Sequence, residues 1–218
     1  MIKNVYVVGG NGFAKECYQH IMFMHYKDPE INFVGFLGHN GYKVDFGNLN
    51  EYFKGDLSEF EFAEDDYAVI GAGYPELRRK IYNDIKAKEN AKFLTVILEP
   101  YSYLSPLVEV GEGNIFISPC TPSPHVKIGN GNLFNGDITI SHDVEIGDFN
   151  FFGGKTQVLG GAKIGNSNTI GTASVILPKA KIGDNNKIAP ISCIYKGCKN
   201  SCYMQGNPAL KVGDVENE

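Results

Sequence analysis

The sequence predicts two joined architectures: a small doubly wound parallel α/β domain over residues 1–96, and an all-β parallel β-helix over residues 97–218. Three observations carry this. Strand-like and helix-like segments alternate in the first part, with glycine turns between them. The motif aliphatic-Gly-x-x-Asn then recurs every 18 residues, as VGEGN (110–114), IGNGN (128–132), IGDFN (146–150), IGNSN (164–168) and IGDNN (182–186). A finer apolar period of six runs through the same region.

In the first part, NVYVVGG reads as a buried strand ended by a glycine turn, and FAKECYQHIMFMHY as the helix that follows. INFVGFLG is a second strand, and YAVIGAG a third that leads into the helix PELRRKIYNDIKAK. This repeated order is Rossmann-like. Gly9, Gly10 and Gly12 surround Asn11 between the first strand and its helix, where backbone N–H groups and the helix dipole suit a phosphate. A dinucleotide fingerprint needs a third glycine where Lys15 stands, and an acid at the end of the second strand, where VGFLGHN has none. NAD is therefore not expected. Gly38 and His39 mark the end of the second strand, Gly71 and Gly73 the end of the third.

In the second part, positions 110, 116, 122 and every sixth residue to 194 are aliphatic or aromatic, with Pro122 the one exception. Six is neither the period of a simple strand nor that of a helix. It fits a coil of three short flat strands, each pointing one apolar side chain inward. Eighteen residues complete a triangular turn, which stacks on the next at about 4.8 Å. Residues two places before the inward slots are mostly small or Asn, such as Ala162, Ser174, Ala180 and Ser192. The recurrent Gly and Asn suit corners that need tight or left-handed backbone.

Composition excludes several classes. A net charge of -5 and a pI near 5.6 give no footprint for nucleic acid or anionic membrane. No apolar run approaches the ~20 residues of a membrane span, and MIKNVYVVGG carries no signal-peptide pattern. The five cysteines are odd in number and scattered, which favours free thiols in a cytoplasmic setting. Cys198 and Cys202 invite a metal reading, but no second pair or nearby histidine completes a site, so no metal is expected.

One segment stands out chemically. ISHDVEI (140–146) carries His142 and Asp143 side by side, in the small-side-chain phase near a corner. A solvated corner histidine and a general base both fit. A base must hold one tautomer and tolerate a developing positive charge, and an adjacent carboxylate supplies both. Asp143 is the nearest partner and Glu145 the second. Gly160 lies one coil beyond His142, so its N–H is placed to meet an oxyanion in the same groove. His125, between prolines in PSPHVKIG, reads as structural, as do His20 and His25 on the first helix.

The repeat, together with the tail YMQGNPALKV, resembles the hexapeptide-repeat acyltransferases, whose terminal signature is matched by Gly206, Asn207, Pro208, Ala209 and Lys211. With the α/β part in front, residues 3 to 212 are similar to bacterial sugar acyltransferases of the sialic acid O-acetyltransferase and UDP-amino-sugar N-acetyltransferase type. The resemblance implies a left-handed coil and a homotrimer with coenzyme A lying between subunits. It implies acetyl-CoA as co-substrate and a nucleotide-linked amino sugar as acceptor, in surface glycan biosynthesis. The His-Asp motif before Ile-Gly-Asp maps the base onto His142 and Asp143. Gly160, Gly161, Thr172, Ala173, Pro208 and Lys211 would meet the donor. Asn135 would line the acceptor side, although a plain corner Asn fits it equally. Gly10, Asn11 and Gly12 would take the diphosphate, and Gly38, His39, Gly71 and Gly73 the base. His39 stands where relatives commonly have an acid, which leaves UDP, dTDP and GDP open. Phe149, Asn150, Phe151 and Phe152 depart from the polar residues of relatives, and as surplus aromatics on a flat face they add a reason to expect a trimer. Sugar O-acetylation and an inert β-helix binding protein are the alternatives.

Overall fold

Five short strands make a parallel sheet in the first unit, Met1–Val96. They are β1 (Lys3–Val8), β2 (Ile31–Gly38), β3 (Phe53–Asp56), β4 (Asp66–Ile70) and β5 (Lys92–Phe93), in the order β3-β2-β1-β4-β5. The structure is a computed structural model that describes residues 2–10, 12–41, 47–97, 102–117 and 119–215. Helix α1 (Gly12–Lys27) buries Ala14, Cys17 and Ile21, a single face at helical spacing. Helix α2 (Pro75–Lys86) starts with a proline in its first turn and buries Arg78, Ile81 and Ile85. Val8, Leu37, Ile70, Ile81 and Ile85 share one core. β3 and β5 were not visible in the sequence. FKGD has no apolar run, and KF is two residues long.

The second unit, Ile97–Glu218, is a stack of coils built from parallel two-residue strands. Residues 145–146, 163–164 and 181–182 pair on one face, 139–140, 157–158 and 175–176 on the next, and 133–134, 151–152 and 169–170 on the third. These register partners lie 18 residues apart, as the repeat demands, and the spacing shortens to 16 only at the last coil, where Lys181 pairs with Gly197 and Lys187 with Tyr203. The inward columns are closed: Phe116, Phe134 and Phe152 stack at 4.8 and 4.9 Å with rings tilted by 9° and 11°, and Ile146, Ile164 and Ile182 form another file. Cys202–Gly206 and Ala209–Asp214 close the stack as an antiparallel hairpin.

The motif asparagine does a different job from the one expected. Asn114, Asn132, Asn150, Asn168 and Asn186 are buried, and the left-handed residue is the one before each: Gly113, Gly131, Phe149, Ser167 and Asn185. The Oδ1 of each asparagine accepts the backbone N–H of the next, at 2.8 to 2.9 Å, and also its Nδ2–H. Asn186 Oδ1 ends the series on Cys202 N–H at 2.8 Å. A second ladder runs the opposite way at the same corner. Asn130, Asp148, Asn166, Asp184 and Asn200 accept from the N–H of residues 112, 130, 148, 166 and 184 respectively. The motif glycines are there for close approach: a Cβ on Gly129 would collide with Asp148 Oδ1 and the Gly147 backbone.

The aromatics expected on an exposed face are not there. Phe152 belongs to the core stack, Phe149 is buried over Gly131, and Phe151 is half-buried. Stacking inside the coil hides these rings, so they supply no argument for a trimer.

Replacing Asn150 with alanine strands the Asn168 N–H and takes the side-chain donor from Gly165 O, while Asn132 Oδ1 keeps the backbone N–H of residue 150; each buried orphan costs about 1–3 kcal/mol. Urea unfolding of the second unit is expected to show a loss of about 3 kcal/mol. Lys163→Ala, which removes an exposed 2.8 Å ion pair with Glu145, is expected to change stability by less than about 1 kcal/mol.

Candidate active site

Strands of two residues leave a turn at every corner, and the three corner columns differ in chemistry. At the asparagine corner each first-turn N–H is taken by a side-chain carboxylate or amide. At a second corner the equivalent residues are Pro124, His142, Gly160 and Pro178, and at the third they are Gly136, Gly154, Thr172 and Pro190. Proline has no N–H, so the stack does not use a hydrogen bond from these positions. Consistently, the N–H groups of His142, Gly160, Gly154 and Thr172 donate to no acceptor among the described residues. Two edges of the coil therefore offer backbone donors to a ligand.

His142 opens the turn at the second corner, with its side chain outside the coil. Val144, not His142, fills the inward small-side-chain phase and is fully buried. Asp143 is the left-handed residue, at φ 59°. That turn brings neighbouring side chains together, and Asp143 Oδ2 lies 2.8 Å from His142 Nδ1. The carboxylate accepts the Nδ1 proton, which leaves Nε2 as the basic nitrogen of the neutral ring. Glu145, the second candidate, is instead paired with Lys163.

Gly160 lies under the imidazole. A Cβ built there would stand 2.9 Å from both Nε2 and Cε1 of His142, so only glycine lets the ring lie as it does. Gly161, left-handed at φ 70°, ties the coils by donating its N–H to the His142 carbonyl at 3.0 Å. The corner thus presents a base nitrogen and a neighbouring backbone donor, the pair needed to remove a proton while stabilising a negative oxygen. His142 and Asp143 are exposed by 69% and 61% in this chain.

Other predicted residues lie elsewhere on the coil. Thr172 and Ala173 form a turn at the third corner, and Asn135 precedes that corner at the end of a strand, exposed. The face of residues 139–140 and 157–158 separates them from His142. Pro208 sits in the terminal hairpin, and Lys211 there pairs with Asp214, whose hydrogen bond raises its pKa. A shallow trough of about 860 Å³ runs along the face lined by Lys127, Glu145, Lys163 and Lys181, away from the His142 side chain.

In the first unit, Gly10, Gly12, Gly38, Gly71 and Gly73 gather at the carboxyl ends of three adjacent strands; Asn11 lies outside the described residues. Gly9 N–H donates to Leu37 O at 2.9 Å and Gly71 N–H to Val8 O at 2.8 Å, knitting these ends together. His39 is buried, with Nε2 2.7 Å from Asp84 Oδ2 and Nδ1 3.3 Å from Asn40 Nδ2. Its ring is thus committed within the protein, and any reading of a base there falls to the surrounding backbone. Asp84, 45 residues away, left no signal in the sequence. Nearby, burial alone would raise the Asp56 carboxyl, but N–H bonds from Ser58 and Gly41 prevail and hold it below its usual range.

Among the described residues no group of three or more His, Cys, Asp or Glu side chains could hold a metal ion. Burial pushes the Cys198 thiol up to about 11, away from the thiolate form that ligates metal. No described helix is long and apolar enough to cross a membrane.

Among solved structures, the chain is similar to the acetyltransferase domain of PglB from Neisseria gonorrhoeae, solved with acetyl coenzyme A. The TM-score is 0.82 at 18% identity, covering 97% of this chain and 100% of that one. It is also similar to PerB from Caulobacter crescentus, solved with CoA and GDP-perosamine, with TM-score 0.82 and 19% identity over 98% and 99% of the two chains. WeeI from Acinetobacter baumannii follows at TM-score 0.61 and 19% identity, covering 96% of this chain and all of that one. By sequence, no protein-family model and no curated protein matches. The chain therefore has the fold of these proteins, a parallel β-helix joined to an α/β unit.

Gly160→Ala is expected to displace the His142 ring and break its 2.8 Å contact with Asp143 while the coil stays folded. Imidazole nitrogen shifts in NMR check this: the Nδ1 signal should lose its hydrogen-bonded character, with thermal unfolding close to wild type.

Proposed function

We propose that the protein is an acetyl-CoA-dependent acyltransferase that N-acetylates a nucleotide-linked amino sugar. The observation that carries this is the His142–Asp143 pair lying over Gly160 at a corner with unused N–H groups. The presence of CoA and a nucleotide amino sugar in the PerB complex supports the choice of substrates. In this reading the coil is left-handed, the front unit is a Rossmann-like nucleotide-sugar domain, and the working enzyme is a cytoplasmic homotrimer. The high exposure of His142 and Asp143 in one chain suits a site that a neighbouring subunit and the substrates cover.

The chemistry follows from the corner. As the sugar amine nitrogen bonds to the thioester carbon, His142 Nε2 accepts the proton it loses. Asp143 holds the ring by Nδ1 and offsets the charge of the imidazolium. The Gly160 N–H donates to the carbonyl oxygen as it becomes negative. The C–S bond then breaks and the proton passes to the departing sulfur, giving the amide and CoA thiol. Gly161, Thr172, Ala173, Pro208 and Lys211 are assigned to the donor, and Gly10, Asn11, Gly12, Gly38, His39, Gly71 and Gly73 to the nucleotide. Asn135 is assigned to the acceptor. Thr172 and Gly154 fit a donor chain with amides, because their N–H groups are unused.

The test is thiol release from acetyl-CoA with UDP-, dTDP- and GDP-linked amino sugars, each beside its hydroxyl counterpart. Turnover with an amino sugar and none with the hydroxyl counterpart is expected; turnover confined to hydroxyls would reverse the assignment. His142→Ala is expected to lose about 10²-fold or more in kcat with unchanged thermal stability. Asp143→Asn is expected to lose less.

A further inference from the structure

Arg78 is the largest fully buried side chain among the described residues, and nothing in the proposed chemistry uses it. It stands in the first turns of α2, and its Nη1 donates to Ile70 O at 3.1 Å and to Ala72 O at 2.7 Å. These two carbonyls flank Gly71, whose own N–H is bonded to Val8 O at the end of β1. The guanidinium therefore fixes the turn between β4 and α2 from beneath.

The consequence lies on the other side of the turn. In a trans peptide the carbonyl and the following N–H point in opposite directions. With Ala72 O drawn inward to Arg78, the N–H of Gly73 is turned outward. It donates to no acceptor among the described residues, and a Cβ built on Gly73 meets nothing within 4 Å. The same turn abuts the glycine turn after β1: a Cβ on Gly9 would stand 2.6 Å from Gly71 O. Between β1 and β4 the strand order β3-β2-β1-β4-β5 changes direction, which opens a crevice at the carboxyl ends. Gly12 also faces open space there. Burial lowers the Arg78 pKa to about 10, so the guanidinium is still cationic at neutral pH. A charge held in the low-dielectric interior keeps its reach, because little water screens it.

We propose that Arg78 is a positioning residue for a nucleoside diphosphate: it aims the Gly73 N–H into the crevice between β1 and β4 and lends that crevice positive potential. This rests on the nucleotide-binding reading of the front unit given above, and deepens it by naming the residue that sets the anion preference.

The test is calorimetric titration of the full-length protein with UDP, dTDP, GDP, the corresponding nucleosides and, separately, CoA. Arg78→Met removes charge and fork but keeps bulk. It is expected to raise the Kd of the preferred diphosphate at least tenfold, leave the CoA Kd unchanged, and shrink the preference for diphosphate over nucleoside. Arg78→Lys keeps the charge with one donor group and is expected to recover part of that preference. Equal losses for nucleoside and diphosphate would make Arg78 merely structural and overturn the proposal, as would unchanged diphosphate binding. If Arg78→Met does not fold, Gly73→Pro decides, since it deletes the aimed N–H and leaves Arg78 in place; unchanged affinity there also overturns it. Failure of the wild type to bind any nucleoside diphosphate would sink the nucleotide reading and this inference together. Loss confined to the variants' controls would sink this inference alone.

Discussion

The structure depends on a column of buried asparagines. Strands two residues long cannot satisfy the corner backbone by sheet pairing alone, and a buried N–H without a partner is costly. Asn114, Asn132, Asn150, Asn168 and Asn186 solve this by accepting the N–H of the next rung, while the 130-to-200 ladder accepts in the other direction. Both ladders require the coils to stay in register, 18 residues per rung and 16 at the last. A slip of one residue would break every rung at once and turn the isoleucine files outward, since alternate side chains of a strand face opposite ways.

Saturating one corner leaves the other two distinct. Their first-turn residues carry no side-chain ladder, and proline occupies Pro124, Pro178 and Pro190 without harm. The same feature that makes proline tolerable makes the N–H of Gly160 and Thr172 available. On the proposed function the chemistry sits where the repeat leaves backbone donors unused, and His142 and Asp143 would add proton transfer to a geometry already supplied by the coil.

Much of the coil was legible because its inward files follow strictly from a period of six, and nearly every slot held an apolar residue. The role of the motif asparagine was not. Asparagine suits both left-handed turns and buried amide ladders, and the sequence does not say which peptide groups need a partner. The His142–Asp143 contact was readable because the residues are adjacent and the corner turns between them. The His39–Asp84 contact and the Arg78 clamp were hidden, since each joins segments brought together only by the sheet. The phenylalanines misled for a related reason: the six-residue phase put Phe152 inside, but Phe149 is covered only because Gly131 beneath it lacks a side chain.

On the proposed function the His142 corner is where the thioester is held. A crystal structure with bound acetyl-CoA tests it most directly. The thioester oxygen is expected about 3 Å from the Gly160 nitrogen, with His142 Nε2 facing the carbonyl carbon's open side. A thioester seated at the asparagine corner, or anywhere out of reach of both Gly160 and His142, would contradict it.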